Sequence, residues 1–288
     1  MKISTMLLTH ANLELTNDTA ESINHWMTDR LLIVVDKVGW PAFQNQNICN
    51  AKIVEGLYHG HDRSPYRNYT FGLKTLYETW PDSDWFCYLE YDCLITSDKF
   101  LDDLKNAWMI GCDLRRFDFK IHLLKKILNI NKIKYSYYFL GCCQFFYRDF
   151  VEAMIEGKFL DAILLATDGC TKGKFPGYIR HAFEEELWAT AAVSLGGKLL
   201  ELSCFKCEDG EWQSKKISDP AILYKDGDND EWRGDYKVYP IRFSPEIEEE
   251  ELFLESSIIH PCKKLDSHIR KKHRDKRNKI QRRRPLFL

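Results

Sequence analysis

Short apolar runs alternate with longer amphipathic or polar stretches in the first part of the chain. The apolar runs cover residues 3–8, 31–35 and 52–57. Runs of this length, separated by amphipathic stretches, are typical of buried parallel strands that alternate with helices. The pattern therefore predicts an α/β sheet.

Further along the chain the same patterns predict more elements. Apolar residues three and four positions apart predict a helix over 66–80, which the turn residues of 81–84 end. A continuous apolar run over 85–89 then predicts a buried strand that ends abruptly in acidic residues. We further predict strands at 107–114 and 137–147, helices at 148–155 and 183–195, and polar surface loops at 208–233 and 245–255.

Composition and charge divide the chain into two parts. Apolar residues make up 44% and aromatic residues 14% of the 288, which excludes disorder over most of the length. The formal net charge is only -2, but 263–284 holds twelve Lys or Arg against Asp266 and Asp275. We expect one domain over 1–262 and a basic tail over 263–288. Such a tail is a solvated, mobile end, a contact for anionic lipid, or a contact for nucleic acid or protein.

Several features concern the environment of the protein. The sequence contains no apolar run of about 18 residues that could span a bilayer, and no signal peptide is recognisable at its start. Its ten cysteines are scattered without the spacing of a disulfide framework, which fits a reducing compartment. We expect a cytoplasmic protein that contacts the membrane peripherally through the tail. Nucleic acid is not an expected partner, because the tail lacks interleaved aromatic residues.

The strongest chemical signal follows the strand predicted at 85–89. In an open α/β sheet, ligands bind beyond the carboxyl ends of the strands, where Glu90, Tyr91 and Asp92 stand. Side chains alternate along an extended strand, so Glu90 and Asp92 would project to the same side. Two carboxylates there would suit Mg²⁺ or Mn²⁺ bound to a diphosphate. Alternatively, the acids only solvate the end of the strand.

The residues around this triplet resemble the GT-A-fold glycosyltransferases, including the large inverting family 2. Those enzymes carry an Arg-Asn or similar pair at the start of a helix, then a buried strand and then a D-x-D triplet. Here the matching pieces are Arg67-Asn68, residues 85–89 and Glu90-Tyr91-Asp92, with Glu in place of the first Asp. The resemblance implies a GT-A-like (Rossmann-like), mostly parallel sheet flanked by helices, and a nucleotide-sugar donor. Asp92 would hold the metal with help from Glu90, while Arg67, Asn68 and Tyr91 would lie in the donor site.

Two earlier strand ends match the same family. Thr9 and His10 follow the first predicted strand, and Asp36 follows the second. In the family, such strand ends hold the nucleotide base and ribose, so Thr9 and Asp36 are expected to contact the nucleotide. Asp36 could equally be a turn acid, and a lone histidine such as His10 is more often structural.

Inversion at the anomeric carbon needs a carboxylate that takes a proton from the acceptor hydroxyl. Glu184, Glu185 and Glu186 open the helix predicted at 183–195, although acids in a first helical turn are also favoured by the helix dipole alone. Residues 184–190 are similar to the D-E-x-L-W-A-T stretch of branching N-acetylglucosaminyltransferases, which implies that Glu185 is the base. Alignment with family 2 would instead make Glu184 the base.

Two more positions complete the resemblance. Gly141 lies in a stretch similar to the glycine-bearing loop that admits donor and acceptor in GT-A folds, although it could also mark a strand bulge. His260 resembles the late histidine that many of these enzymes use as an additional metal or phosphate contact.

Together these features predict a glycosyltransferase that moves a sugar from a nucleotide sugar to a hydroxyl of a saccharide or glycolipid. We expect inversion, dependence on Mn²⁺ or Mg²⁺, and a role in polysaccharide biosynthesis. The alternatives are a nucleotidyltransferase that acts on sugar phosphates, and a non-catalytic carbohydrate- or nucleic-acid-binding module. The first of these usually carries a Gly-rich, basic phosphate loop near the first strand, which residues 9–12 do not provide.

Overall fold

The computed structural model describes residues 1–10, 12–57, 67–104, 107–112, 114–117, 121–139, 143–171, 183–202, 205–208, 211–214, 223–224, 232–233, 240–242, 257–260 and 262–283. The strands in this part of the chain are β1 (Ile3–Thr9), β2 (Leu31–Val35), β3 (Lys52–Glu55), β4 (Trp85–Glu90), β5 (Leu94–Ile95), β6 (Met109–Cys112), β7 (Leu114–Phe117), β8 (Ser136–Phe139), β9 (Cys143–Tyr147), β10 (Leu199–Leu202), β11 (Phe205–Glu208), β12 (Glu211–Ser214), β13 (Leu223–Tyr224), β14 (Trp232–Arg233), β15 (Pro240–Arg242) and β16 (Ile258–His260). The helices are α1 (Leu13–Trp26), α2 (Trp40–Phe43), α3 (Arg67–Thr79), α4 (Ile121–Leu128), α5 (Arg148–Glu156), α6 (Phe159–Thr171), α7 (Phe183–Ser194) and α8 (His268–Arg283), and Lys99–Asp103 forms a 3-10 helix.

The main sheet confirms the predicted α/β class. Its described strands follow the order β14-β13-β10-β6-β9-β4-β1-β2-β3. The pairings of β3 with β2, β2 with β1, β1 with β4, and β6 with β10 are parallel. Only β9 and β13 run against the other strands of this sheet, so it is mostly parallel.

The central strands are buried on both faces, which explains why they are continuous apolar runs. Along β1, Met6 packs into one core cluster and Leu7 into the other. The same alternation sends Phe86 and Tyr88 of β4 into the first cluster. The first cluster also contains residues of α3, α4, α5, α6 and α7, and the second contains residues of α1 and α2. Helices therefore flank both faces of the sheet.

The structure differs from the sequence prediction in the middle of the chain. The run at 137–147 does not form one strand: β8 pairs with β7 in a separate ribbon, whereas β9 lies in the main sheet. The run at 107–114 likewise divides between β6 and β7. Apolar patterning marks residues that become buried but does not show where a strand leaves its sheet. The predicted loop at 208–233 contains the short strands β12, β13 and β14, and 245–255 lies outside the described residues.

The basic tail also differs from a solvated, mobile end. Residues 268–283 form α8, in which Arg270 is fully buried and Arg277 is 3% exposed. Arg270 donates to Asp18 of α1, 252 positions earlier in the sequence, so the helix is anchored to the domain. None of the helices described in the structure is both long and apolar enough to cross a membrane.

Candidate functional site

The strand order reverses between β1 and β4, because β2 and β3 lie on one side of β1 while β4 lies on the other. A crevice at the carboxyl ends of the strands forms at such a reversal, and ligands of open α/β sheets bind there. The two strands end level with each other. Leu8 pairs with Glu90, and the Leu8 carbonyl accepts a hydrogen bond of 3.0 Å from the Tyr91 N–H. The predicted site residues Thr9, Glu90, Tyr91 and Asp92 therefore come together at this edge.

The acid triplet is a strand end followed by a turn. Strand β4 ends at Glu90, and the Cys93 N–H donates to the Glu90 carbonyl at 3.0 Å, which closes the turn. The predicted alternation of side chains therefore stops at Glu90 and does not set the direction of Asp92. The Glu90 carboxylate is half-buried and accepts a hydrogen bond of 3.0 Å from the Tyr88 hydroxyl. Asp92 is 3% exposed, and burial of an acid to this extent calls for a strong partner.

A segment from the other end of the chain lies beside Asp92. Strand β16 pairs with β5, which begins two residues after Asp92. The Cys262 N–H donates to the Asp92 carbonyl at 2.7 Å, and Lys263 Nζ lies 3.9 Å from Asp92 Oδ2. His260 is the last residue of β16, so its backbone reaches the neighbourhood of the triplet, as a metal contact would require. Its side chain lies outside the described residues.

Thr9 and Asp36 lie side by side at the ends of β1 and β2. The Asp36 N–H donates to the Thr9 carbonyl at 3.0 Å, and both side chains are almost fully buried. The Thr9 hydroxyl is 2.9 Å from that of Thr16. Asp36 Oδ1 accepts from the Gly39 N–H at 2.8 Å, which is the turn role that the sequence left open. One carboxylate oxygen is thus used by the turn, and the acid still stands at the predicted strand end.

His10 packs against the triplet. Its ring meets the ring of Tyr91 edge to face, with centroids 4.7 Å apart. Aromatic pairs in this geometry contribute about 0.5–1.5 kcal/mol beyond their buried area. The contact joins the residue after β1 to the centre of the triplet, so a structural role for His10 is present in the fold.

The Arg67-Asn68 pair lies at the start of α3, as predicted. Asn68 is 6% exposed, and its side-chain carbonyl accepts from the Leu57 N–H at 2.8 Å. Asn68 therefore holds the chain just beyond β3, which leaves its amide NH₂ group as a donor. The Arg67 side chain lies outside the described residues.

Helix α7 begins at Phe183 and carries the three predicted acids in its first turn. The side chains of Glu184 and Glu185 lie outside the described residues, and Glu186 is 2% exposed. The following residues are packed in the core. Trp188 Nε1 donates to the Thr70 hydroxyl at 3.2 Å, and Thr190 Oγ1 accepts from the Tyr137 N–H at 2.9 Å. Packing against α3 and β8 thus accounts for Trp and Thr in the stretch at 184–190.

Two predicted features involve residues outside the described part of the chain. Gly141 lies outside the described residues. No group of three or more His, Cys, Asp or Glu that could hold a metal occurs among the described residues. The predicted metal set of Glu90, Asp92 and His260 includes one side chain that is not described, so it stays a prediction.

Lys263, Arg270 and Cys262 are residues near the triplet that the sequence did not single out. Lys263 and Arg270 belong to the run of basic residues, and the sequence does not distinguish them from the other Lys and Arg residues there. The signal in the sequence is spacing, because Arg270, His273 and Arg277 recur at helical intervals. In the structure these three residues are more buried than the lysines between them. Burial raises the pKa of the Cys262 thiol, which therefore stays neutral beside Asp92.

No protein-family model and no curated protein matches this chain. Among solved structures, it is similar to S. aureus TarS 1-349, with 12% identity, a TM-score of 0.40, and coverage of 67% of this chain and 56% of that one. It is also similar to the glycosyltransferase GlyE of Streptococcus pneumoniae TIGR4, with 10% identity, a TM-score of 0.35, and coverage of 67% and 43%. A third similar structure is LicC, the CTP:phosphocholine cytidylyltransferase of Streptococcus pneumoniae, with 10% identity, a TM-score of 0.35, and coverage of 67% and 84%. The chain spans about half the length of the first two.

Proposed function

We propose that this protein is a metal-dependent glycosyltransferase that moves a sugar from a nucleotide sugar to a hydroxyl of a saccharide or glycolipid. One observation carries the proposal. Asp92, an almost fully buried acid, stands directly beyond the carboxyl end of β4 where the strand order reverses beside β1. An open α/β sheet offers its ligand crevice at that point, and a buried carboxylate there suits a cation bound to phosphate.

The candidate ligand atoms are of the types that Mn²⁺ or Mg²⁺ binds. Asp92 and Glu90 supply carboxylate oxygens, and His260 would add an imidazole, a ligand that Mn²⁺ accepts. When bound, the metal would neutralise charge on the leaving nucleoside diphosphate. Lys263 is 64% exposed, so its ammonium group could pair with a phosphate oxygen once a metal compensates the charge of the buried Asp92.

The nucleotide would lie across the ends of β1 and β2. Asp36 uses one carboxylate oxygen for the Gly39 N–H and keeps the other as an acceptor for ribose hydroxyls. Thr9 adds a hydroxyl at the same edge. Arg67 and Asn68 at the start of α3 would donate hydrogen bonds to the nucleotide or its phosphates. Tyr91 borders the same crevice.

The acceptor hydroxyl would lose its proton to Glu185, or to Glu184 in the family 2 register. As the proton moves to the carboxylate, the acceptor oxygen bonds to the anomeric carbon from the face opposite the phosphate. The bond from that carbon to the phosphate oxygen breaks, and the nucleoside diphosphate leaves with the electron pair. The configuration at the anomeric carbon is inverted. Gly141 would leave room for the sugar to approach the backbone.

We also propose that the exposed face of α8 determines where in the cell the enzyme is located. Lys271, Lys272, Lys276 and Lys279 are all exposed there. Each lysine near an anionic bilayer contributes about 1 kcal/mol of attraction, so this face would hold the enzyme at a cytoplasmic membrane, where glycolipid acceptors of polysaccharide assembly are found. We expect sedimentation with phosphatidylserine-containing vesicles, not with phosphatidylcholine vesicles, and loss of binding when the four lysines are replaced by glutamine. Equal binding of the glutamine variant would contradict the proposal.

The donor site can be tested by thermal stability. We would measure the unfolding midpoint with UDP-, GDP-, CMP- and dTDP-sugars, each with and without Mn²⁺. Ligand at about 100 times its dissociation constant adds about 2.7 kcal/mol of stability, which raises the midpoint by about 5 °C in a protein of this size. We expect a Mn²⁺-dependent rise with one nucleotide class, no rise in Asp92→Asn, and no transfer activity in that variant.

A matched control separates the site from a general loss of charge. Asp98 is exposed, and its side chain does not cap the 3-10 helix that follows it, so Asp98→Asn should bind and transfer as the wild type does. Transfer by Asp92→Asn at the wild-type rate would contradict the site. The same unfolding midpoint is measured with CTP or UTP together with sugar phosphates, as a second arm of the experiment. If the midpoint rises with these ligands and not with nucleotide sugars, the protein is more consistent with a nucleotidyltransferase. No rise in either arm would favour a binding module.

A further inference from the structure

Arg270 is a fully buried arginine that reaches three parts of the chain at once. It lies on α8, and its side chain is 0% exposed. Nη1 donates to Asp18 Oδ2 on α1 at 2.6 Å, and Nε donates to the Cys262 carbonyl at 2.8 Å. Nη2 donates to the Cys93 carbonyl at 3.0 Å and to the Thr19 hydroxyl at 3.3 Å. The guanidinium thus joins α1, the residue after the acid triplet and the segment beside it.

These bonds hold the backbone of Asp92 and of the residue that follows it. The Cys93 carbonyl, which follows Asp92 in the chain, accepts directly from Arg270. The Asp92 carbonyl accepts from the Cys262 N–H at 2.7 Å, and the carbonyl of Cys262 is itself bound by Arg270 Nε. Arg270 therefore fixes the position of Asp92 in two ways: through Cys93, its neighbour in the chain, and through Cys262, which binds its carbonyl.

Thr19 extends the same network to Tyr91. Its hydroxyl lies 2.6 Å from the Tyr91 carbonyl and 2.8 Å from the Cys93 carbonyl, and it accepts from Arg270 Nη2. Three successive carbonyls, those of Tyr91, Asp92 and Cys93, are thus each bound by Thr19, Cys262 or Arg270. A turn held in this way keeps its side chains within narrow limits, as a metal or phosphate site requires.

We infer that Arg270 is a positioning residue for the site at Glu90, Tyr91 and Asp92, and that the basic C-terminal helix is a structural part of that site. The functional half of this inference rests on the function proposed above. Arginine suits the role because its planar group carries five donors in a fixed arrangement. A lysine would keep the charge beside Asp18 but could not span the same carbonyls.

Arg277 provides the matched comparison. It lies two turns further along α8, is almost as buried, and donates to the other oxygen of Asp18 at 2.7 Å. It also lies 3.6 Å from Glu21. The structure gives it no hydrogen bond to the carbonyls of Cys93 or Cys262. Replacing Arg277 by lysine therefore disturbs the same ion pair without touching the turn.

The test compares Arg270→Lys with Arg277→Lys in the full chain by two measurements. The first is amide hydrogen exchange in peptides that cover 90–95 and 257–264. We expect exchange there to become at least tenfold faster in Arg270→Lys and to stay unchanged in Arg277→Lys. The second is the dissociation constant of Mn²⁺, which we expect to rise at least tenfold in Arg270→Lys only.

The exchange measurement tests the positioning role of Arg270, and the Mn²⁺ measurement tests its connection to the proposed metal site. Wild-type exchange in Arg270→Lys would overturn the positioning role, and so would equal acceleration in both variants. If the wild type itself binds no Mn²⁺, the metal site of the proposed function fails, while the exchange result still decides the role of Arg270. If Arg270→Lys does not fold, Thr19→Val makes the exchange test, because it removes the hydroxyl that binds the Tyr91 and Cys93 carbonyls and leaves no buried charge alone.

Discussion

Buried charges at the scale of single residues determine how the C-terminal helix is held. Asp18 lies within a helix and is 3% exposed, a position that an unpaired carboxylate could not occupy. Its two oxygens accept from Arg270 at 2.6 Å and from Arg277 at 2.7 Å, and Arg274 Nη1 lies 3.8 Å away. Asp18 thus pairs with several arginines, so an excess of positive charge remains where α8 packs against α1.

His273 lies within this positive environment, and its titration makes stability depend on pH. Burial, followed by the charges of Lys276, Arg277 and Lys272, lowers its pKa from 6.5 to about 4, against a smaller opposing effect of Asp18. The folded state therefore resists protonation of His273. The unfolded chain takes up that proton below about pH 6.5, so the free energy of unfolding falls as the pH drops from about 6.5 to about 4.

We expect His273→Gln to remove part of this loss of stability in acid. The measurement is the thermal midpoint at pH 7.5 and pH 5.0, and the difference between the two should be smaller in the variant than in the wild type. His268→Gln, at an exposed position on the same helix, is the control and should leave the difference unchanged. Equal pH dependence of His273→Gln and the wild type would show that another group titrates.

At the scale of elements, α8 differs from an ordinary surface helix because its buried side is basic. Ile269 and Arg270 are buried at its start and Arg277 two turns later. Helices of globular proteins usually bury an apolar stripe. Here ion pairs with α1 replace much of that stripe, so the docking of α8 depends on Asp18.

Asp18→Asn should therefore destabilise the protein strongly. Removing one partner of a buried ion pair leaves the other charges uncompensated, which typically costs about 3–5 kcal/mol. The measurement is urea unfolding, from which the free energies of unfolding of variant and wild type are compared. Glu21→Gln is the control: Glu21 lies one turn further along α1 and also contacts Arg277, but it is 48% exposed and should contribute less than about 1 kcal/mol. Equal effects of the two substitutions would contradict the buried pair.

At the scale of the whole molecule, the candidate site combines distant parts of the sequence. Thr9 ends the first strand, Asp36 follows the second, and the acid triplet begins with the last residue of the fourth. Lys263 and Arg270 come from the last part of the chain. Parallel pairing of β1 with β2 and with β4 brings the carboxyl ends of the three strands to one edge. The adjacent antiparallel pairing of β5 with β16 then brings the C-terminal segment beside Asp92.

Strands buried on both faces were predictable for a physical reason. Residues 31–35 are buried throughout, and so are 85–89, so the apolar run and the strand coincide to within one residue. The predicted helix at 66–80 and its observed bounds in α3 agree similarly closely. The division of 137–147 was not predictable, because β8 and β9 are both mostly buried although they belong to different sheets.

The sequence by itself determined the class of the sheet, its strands β1, β2 and β4, and the position of the acid triplet at a strand end. It could do so because burial on two faces demands continuous apolar residues, and because a change from apolar to acidic residues marks where a strand leaves the core. Only the tertiary structure decided which basic residues matter. In the sequence Arg270 and Arg277 look like the rest of the tail, and burial distinguishes them only once α1 and the acid triplet supply their partners. Lys263 is exposed, and only its distance of 3.9 Å from Asp92 distinguishes it. A charge gains a specific role from what surrounds it in space, and its neighbours in the chain do not carry that information.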